Sequence, residues 1–196
     1  MNEYSRKAVF IDKDGTLIPN IPYNIDPGRI TIEDETIEGL RLLKDEGFLF
    51  IVISNQSGIA KGYFKEMDLE QVWNKISALL QRHEISIDAF YYCPHEPNGI
   101  VEQYAVECDC RKPLPGMILK AASQLKIDLS QSWMIGDILN DVEAGNRAGC
   151  STILIDNGNE TEWQMSEERT PAFIAGNILE AAVHIKMEVT KTVQYE

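Results

Sequence analysis

The stretch that decides the fold lies near the start of the chain and reads Ala8-Val9-Phe10-Ile11-Asp12-Lys13-Asp14-Gly15-Thr16-Leu17. Its apolar half is typical of a buried strand, and its polar half places Asp12 and Asp14 where that strand ends. Taken alone, the polar half also fits an ordinary surface turn, since Asp and Gly are common turn residues. In open α/β sheets, however, chemistry collects outside the carboxyl ends of the strands. We therefore expect functional carboxylates here if later segments bring matching groups to the same edge.

The length and composition indicate one compact domain. With 196 residues, 44% of them hydrophobic, the chain can form a substantial core but is too short for two large domains. We predict a single domain over residues 1–188 and a C-terminal tail over residues 189–196. No inserted segment of about 50 residues or more is evident that would form a cap domain. We therefore expect an open site and a monomer.

The net charge limits the classes of partner. A formal charge of −13 disfavours binding to nucleic acid or to anionic membranes, because both depend on clustered Lys and Arg. A small anionic substrate stays possible, since basic groups and a metal ion at the site can outweigh the negative net charge of the chain. Residues 1–7 lead into a strand rather than an apolar signal core, and no apolar run is long enough to span a bilayer. These features predict a soluble, cytoplasmic protein.

Beyond the first strand, the hydrophobic pattern alternates between strand and helix. Three prolines make residues 18–28 a loop over the expected site. The alternation predicts an α/β fold with a doubly wound, mostly parallel, Rossmann-like sheet and right-handed crossovers. The further predicted strands are residues 48–53, 87–92, 132–137 and 151–156, and the predicted helices are 35–44, 68–80, 115–125, 138–148 and 177–185.

Polar side chains follow each of four predicted strands. A polar turn explains any one of them equally well, but phosphoryl transfer needs such groups together. It requires a nucleophile, a proton donor, hard oxygens for a divalent cation, and donors around the phosphoryl oxygens. In chain order the residues are Asp12 and Asp14, Ser54 and Asn55, Arg111 and Lys112, and Asp137 and Asp141.

Residues 93–110 interrupt the alternation of predicted strands and helices and contain three of the four cysteines. Three thiols and one imidazole in two close pairs form a complete tetrahedral ligand set for a structural zinc ion. The alternatives are a reduced loop with incidental thiols or a catalytic Cys–His pair, and neither explains four ligand-type residues. A zinc loop directly before Arg111 and Lys112 would fix both over the site. The predicted zinc ligands are Cys93, His95, Cys108 and Cys110.

These motifs resemble those of the haloacid dehalogenase superfamily of phosphatases. The stretch Asp12-Lys13-Asp14-Gly15-Thr16 is similar to the first motif, Ser54 to the second, Lys112 to the third, and Gly136-Asp137 with Asp141 to the fourth. The resemblance spans nearly the whole predicted domain. It implies Mg²⁺-dependent hydrolysis of a phosphomonoester through an aspartyl-phosphate intermediate.

The resemblance also implies a role for each matched residue. Asp12 attacks phosphorus, while Asp14 protonates the leaving alkoxide and then deprotonates the hydrolytic water. Ser54 and Lys112 hold the phosphoryl oxygens. Asp141 either supports the metal ligands from behind or is only an acidic residue in the first turn of a helix. The implied Mg²⁺ ligands are Asp12, the main-chain carbonyl of Asp14, and Asp137.

A longer match narrows the resemblance. Ser54-Asn55-Gln56-Ser57-Gly58-Ile59-Ala60-Lys61-Gly62-Tyr63-Phe64, the zinc-type loop and Arg111-Lys112-Pro113 resemble the D-glycero-D-manno-heptose 1,7-bisphosphate 7-phosphatases. The histidinol-phosphate phosphatases are the alternative, because they share much of this frame, including the zinc-type loop, although the run over residues 57–64 favours the heptose enzymes. One departure from the heptose enzymes is Ile138, which stands where Lys is expected. Besides Ser54 and Lys112, the substrate contacts implied for the sugar and its second phosphate are Asn20, Ile21, Pro22, Tyr23, Asn55, Gln56, Ser57, Gly58 and Arg111.

A function of a different class is a receiver-type signalling domain, which also combines a parallel sheet, an acidic Mg²⁺ pocket and a phosphorylated aspartate. In that class the phospho-acceptor lies on a later strand than the acidic pair, whereas here Asp12 and Asp14 open the sheet. A non-catalytic scaffold with the same fold is disfavoured, because every motif residue is present.

Overall fold

The apolar runs of the sequence form one six-stranded, all-parallel sheet in the computed structural model, which describes residues 5–193. The strands are β1 (Ala8–Ile11), β2 (Leu49–Asn55), β3 (Ala89–Cys93), β4 (Trp133–Gly136), β5 (Ser151–Ile155) and β6 (Phe173–Ala175). Their order across the sheet is β3-β2-β1-β4-β5-β6. The first strand is central, because Ile11 is in register with Val52 on one side and with Ile135 on the other.

Helices cover both faces of the sheet, as the predicted α/β class requires. The helices are α1 (Asp34–Asp45), α2 (Asp68–Gln81), α3 (Gly116–Leu125), α4 (Leu139–Ala148) and α5 (Ile178–Val193). Side chains alternate along a strand, so Val9 and Ile11 pack in one core with α1, α2 and α5, while Ala8 and Phe10 pack in the other with α3 and α4.

The zinc-type loop lies between β3 and α3, and no cap-sized insertion interrupts the sheet within residues 5–193. In the same part of the chain, none of the helices has the length and apolar character needed to cross a membrane. The fold therefore leaves the carboxyl edge of the sheet free of a covering domain.

Two features near the C-terminus differ from the sequence prediction. The sixth strand was not predicted, because its three residues are too few to show a periodic pattern. The final helix continues to Val193, five residues into the predicted tail, because Val189 still packs against the larger core. The remainder of the predicted tail, residues 194–196, lies outside the described residues.

Candidate active site at the carboxyl edge of the sheet

The turn after β1 is built around a glycine. Gly15 has φ +95°, in the left-handed region, and a Cβ atom there would lie 2.1 Å from Asp137 Oδ2. The main chain closes the turn, since Ile18 N–H donates to the Lys13 carbonyl at 3.0 Å. Only glycine accepts both the dihedral angle and the close approach. The turn thus brings the end of β1 against the end of β4.

Three buried carboxylates meet at these strand ends. Asp12, Asp137 and Asp141 each offer an oxygen within 4.8 Å of the others. Burial, followed by repulsion from the other two carboxylates, raises the pKa of Asp137 to about 7. Burial also raises the pKa of Asp141 to about 6, with a further contribution from Asp12. A cluster of hard oxygens whose mutual repulsion is only partly neutralised fits a divalent cation such as Mg²⁺.

Lys112 supplies the positive charge within this cluster. Its Nζ atom contacts an Asp12 carboxylate oxygen and lies 2.5 Å from Asp141 Oδ1 and 3.0 Å from the Ile53 carbonyl. Burial would lower the pKa of Lys112, but the two carboxylates raise it above its usual range. Asn55 fixes the Lys112 main chain, because its amide donates to the Lys112 carbonyl and accepts from the Lys112 N–H, both at 3.0 Å.

The carboxyl group of Asp14 has different surroundings from that of Asp12. Lys13 Nζ lies 3.0 Å from Asp14 Oδ1, and Gln56 Nε2 donates to Asp14 Oδ2 at 3.2 Å. Gln56 also donates to Ser54 Oγ at 2.7 Å. Burial, with a smaller contribution from Asp12, raises the pKa of Asp14, while Lys13 opposes the increase. A carboxyl group of raised pKa beside a paired carboxylate suits proton transfer.

Asp141 supports the cluster and also caps a helix. It lies in the first turn of α4, where its Oδ2 accepts the Ile138 N–H at 3.2 Å. Its Oδ1 faces Lys112, and the residue is 1% exposed. The two roles considered for Asp141, support of the metal ligands and an acidic residue in the first turn of a helix, therefore each fit one of its oxygens.

The sequence did not predict the hydrogen bonds that orient the carboxylate of Asp137. Asn159 donates to Asp137 Oδ2 at 2.8 Å, and Thr16 donates to Asp137 Oδ1 at 3.1 Å. Asn157 donates to the Gly15 carbonyl at 2.7 Å. Both asparagines lie in the polar segment between β5 and β6, which has no local motif. Their role arises only from the tertiary contact with β4 and the β1 turn.

A cavity of about 210 Å³ opens beside Asp14. Its walls are the loop segments 20–23 and 55–58, so eight of the predicted substrate contacts lie together. Tyr23 is exposed at its mouth, where its hydroxyl accepts from Lys61 Nζ at 2.8 Å. Arg111 does not line this cavity. Its guanidinium lies 2.9 Å from Glu96 and donates to the His95 carbonyl at 3.3 Å.

The four predicted zinc ligands converge in the loop between β3 and α3. The three sulfur atoms lie 3.0 to 3.5 Å from one another, and all three cysteines are free. The Nδ1 atom of His95 lies 3.7 Å from Cys93 Sγ and 3.4 Å from Cys110 Sγ. Ligand atoms on a tetrahedral zinc ion are separated by about 3.7 Å. The contact between the Cys93 and Cys110 thiols lowers the pKa of Cys110 to about 5 and raises the pKa of Cys93 above its usual range, so without a metal ion the proton stays on Cys93. The residues therefore fit a zinc ion.

Comparison with known proteins agrees with this geometry. The family model described as HAD-hydrolase-like matches residues 109–181. The D-glycero-β-D-manno-heptose-1,7-bisphosphate 7-phosphatase of Escherichia coli K12 is 41% identical over 145 residues, which are 74% of this chain and 76% of that protein. The protein of the same name from Haemophilus ducreyi is 44% identical over 154 residues, 75% of this chain and 81% of its own.

A solved structure shares the fold. The D,D-heptose 1,7-bisphosphate phosphatase of B. bronchiseptica, crystallised with magnesium and phosphate, has a TM-score of 0.75 and 25% identity. The alignment covers 93% of this chain and 99% of that one. The chain belongs to the haloacid dehalogenase-like hydrolases, in the family of the heptose-1,7-bisphosphate 7-phosphatases, and it is a phosphatase.

Proposed function

We propose that this phosphatase removes the 7-phosphate of D-glycero-D-manno-heptose 1,7-bisphosphate. The observation that carries the proposal is the convergence of Asp12, Asp14, Lys112 and Asp137 beside the cavity lined by segments 20–23 and 55–58. The four charged residues supply the charges that phosphoryl transfer requires, and the cavity walls offer polar contacts for a sugar.

In the first step, Asp12 acts as the nucleophile. A carboxylate oxygen of Asp12 forms a bond to phosphorus as the bond from phosphorus to the sugar oxygen breaks, which gives an aspartyl-phosphate and a free hydroxyl. Lys112, whose Nζ contacts Asp12, balances the charge of the phosphoryl oxygens, and Ser54 donates to them from the end of β2.

Asp14 moves the proton in each step. Protonated Asp14 delivers its proton to the departing sugar oxygen. The resulting carboxylate then takes a proton from the water that attacks phosphorus and releases phosphate from Asp12. The raised pKa of Asp14 and its contact with Lys13 suit a group that must both give up and regain a proton.

Mg²⁺ would be held by Asp12, Asp137 and the main-chain carbonyl of Asp14, where it supplies positive charge that lowers the repulsion between carboxylate and phosphate. Zinc would be held by the Cys93, His95, Cys108 and Cys110 cluster and would fix the loop that ends at Lys112. Its closed ligand set supports a structural role.

The substrate assignment rests on the cavity and on the family. Asn20, Tyr23 and the 55–58 segment offer amide, hydroxyl and main-chain groups to sugar hydroxyls. Arg111 is proposed to meet the second phosphate, which requires its guanidinium to leave Glu96 or to bind phosphate from the side opposite Glu96. The proposal also includes a monomeric, cytoplasmic enzyme without nucleic-acid or membrane partners, on the sequence argument alone.

The test compares kcat/KM for the α and β anomers of the heptose 1,7-bisphosphate, histidinol phosphate and simple sugar phosphates, with and without Mg²⁺. We expect the heptose bisphosphate to have the highest value, and activity to require Mg²⁺. The β anomer is expected to lead, since the relatives carry that anomer in their names. A higher kcat/KM for histidinol phosphate would overturn the substrate assignment but would leave the phosphatase chemistry intact.

A further inference from the structure

Lys13 lies between the two acidic residues of the first motif, and it forms no bond and transfers no proton in the proposed reaction. Its side chain is 1% exposed. An ammonium group is almost never buried to this degree unless it is paired. Lys13 Nζ lies 3.0 Å from Asp14 Oδ1 and 5.5 Å from the centroid of the Trp73 ring. Asp14 therefore neutralises the buried charge, and an aromatic face covers it.

The position of the Lys13 side chain is set by the core. Trp73 lies on α2 and stacks on Phe90 of β3, with the ring centroids 4.7 Å apart and the planes 27° apart. At the other end of the side chain, the Lys13 carbonyl accepts the Ile18 N–H within the β1 turn. The ammonium group is thus held between a fixed backbone and a fixed indole, which makes it a rigid support.

The same contact fixes the carboxyl group of Asp14. Lys13 meets one of its oxygens and Gln56 donates to the other, so the plane of the group is held at both ends. Each carboxyl oxygen keeps a second lone pair that can carry the proton moved in the reaction. Without Lys13, Gln56 is the only side chain among residues 5–193 with a contact that would restrain rotation about the Cβ–Cγ bond.

We infer that Lys13 is a positioning residue for Asp14, which holds the carboxyl group in the orientation that transfers a proton to the leaving oxygen. The inference rests on the proposed function, because it concerns the acid step of that reaction. Lys13 itself does not touch the phosphate. Its loss should therefore slow the departure of leaving groups that need a proton and spare those that do not.

The test uses Lys13→Met, which keeps the length of the side chain and removes its charge. Two substrates are compared: the heptose 1,7-bisphosphate, whose alkoxide leaves only with a proton, and p-nitrophenyl phosphate, whose phenolate leaves without one. The kcat/KM value reports only the steps up to release of the alcohol, which excludes hydrolysis of the aspartyl-phosphate. We expect kcat/KM for the heptose ester to fall about 100-fold and kcat/KM for p-nitrophenyl phosphate to stay near the parent value.

The ratio of the two values is the criterion, because both are measured on one preparation and any unfolded fraction cancels. Lys7→Met is the matched control, since Lys7 Nζ also lies over an aromatic ring, 4.4 Å from the centroid of Phe48, but at the opposite end of β1. Its ratio should equal that of the parent. Equal losses on both substrates in Lys13→Met would overturn the inference and leave Lys13 a purely structural residue.

If the substrate assignment is wrong, the assays of the parent chain reveal it separately from the role of Lys13. In that case the parent chain hydrolyses p-nitrophenyl phosphate but not the heptose ester, and the ratio is measured with glucose 6-phosphate as the alkyl ester. A selective loss on that ester supports the role of Lys13 even though the substrate assignment has failed.

Discussion

Asp12 and Asp14 are two positions apart, yet their carboxyl groups have different neighbours. Asp12 contacts the fully buried Lys112 and shares a cluster with Asp137 and Asp141. Asp14 is not a member of that cluster, and its carboxyl group contacts Lys13 and Gln56. The separate roles of nucleophile and proton carrier need such a difference in surroundings, since identical carboxylates would titrate alike.

Asp12→Asn should abolish turnover while the fold stays intact. The amide has no charge with which to attack phosphorus, so kcat is expected to fall by more than about a thousandfold. Lys112 retains Asp141 as a partner, which limits the cost to stability. Steady-state assays and thermal melts of the same preparation provide the check. Substantial residual turnover would remove Asp12 from the role of nucleophile.

Asn159→Ala should weaken Mg²⁺ binding. The Asn159 hydrogen bond lowers the pKa of Asp137, so its loss leaves that carboxylate more basic and less firmly oriented. We expect the dissociation constant for Mg²⁺, measured by calorimetry, to rise about tenfold. Asn146→Ala is the matched control, because Asn146 holds the other end of the same segment through the Glu168 and Thr170 carbonyls. An affinity equal to that of the parent would contradict the role of Asn159.

At the scale of elements, the site depends on two tethers between the zinc-type loop and the sheet. Asn55, at the end of β2, makes two hydrogen bonds to the Lys112 main chain. Cys93, at the end of β3, is paired in register with Asn55 and belongs to the ligand cluster. The loop therefore begins and ends on the same two neighbouring strand ends, so its conformation governs where Lys112 lies.

Cys108→Ser should reduce zinc content and activity together. Removal of one thiolate opens the tetrahedral set and loosens the chain that leads to Lys112, so kcat/KM is expected to fall at least about tenfold. Cys150→Ser is the matched control, since Cys150 is buried in the core beside α3 and α4, away from the cluster. Elemental analysis and assays of both variants decide the point. Full activity in a zinc-free preparation would contradict the tether.

The sequence allowed the elements with long periodic patterns and the motif residues at strand ends to be predicted. Burial on both faces makes central strands such as β2 nearly continuous apolar runs, and parallel strands bring Asp12, Ser54 and Asp137 to one edge. The short edge strand β6 and the contact of Asn159 with Asp137 were not predictable, because neither has a local pattern. Both depend on how the chain returns after β5.

At the scale of the whole molecule, the carboxylate cluster opposes folding until a cation binds. Three acidic side chains are buried together, and Lys112 contacts two of them, Asp12 and Asp141. Burial first, and then repulsion from neighbouring carboxylates, raises the pKa of both Asp137 and Asp141. Their ionised forms are therefore unfavourable in the metal-free protein, and a divalent cation relieves that cost.

Mg²⁺ should accordingly raise the melting temperature. At about 100 times the dissociation constant, a ligand that binds only the folded state shifts the midpoint of a domain of this size by about 5–10 °C. Protons compete with the metal for Asp137, with a pKa of about 7, and also neutralise the neighbouring Asp141, with a pKa of about 6. The shift is expected to be small near about pH 5 and larger near about pH 8. A shift independent of pH in differential scanning fluorimetry would contradict this account.

The central place of β1 in the sheet also governs when the enzyme becomes competent during its synthesis. The ribosome makes the strand that carries Asp12 first, but one of its two neighbours, β4, begins only at Trp133. Asp137 follows β4, and Asn159 comes later still. A nascent chain that ends just after the zinc-type loop still lacks β4, the strand that pairs with one side of β1. Translation must therefore pass Asn159, 147 residues after Asp12, before any phosphate ester meets a complete site.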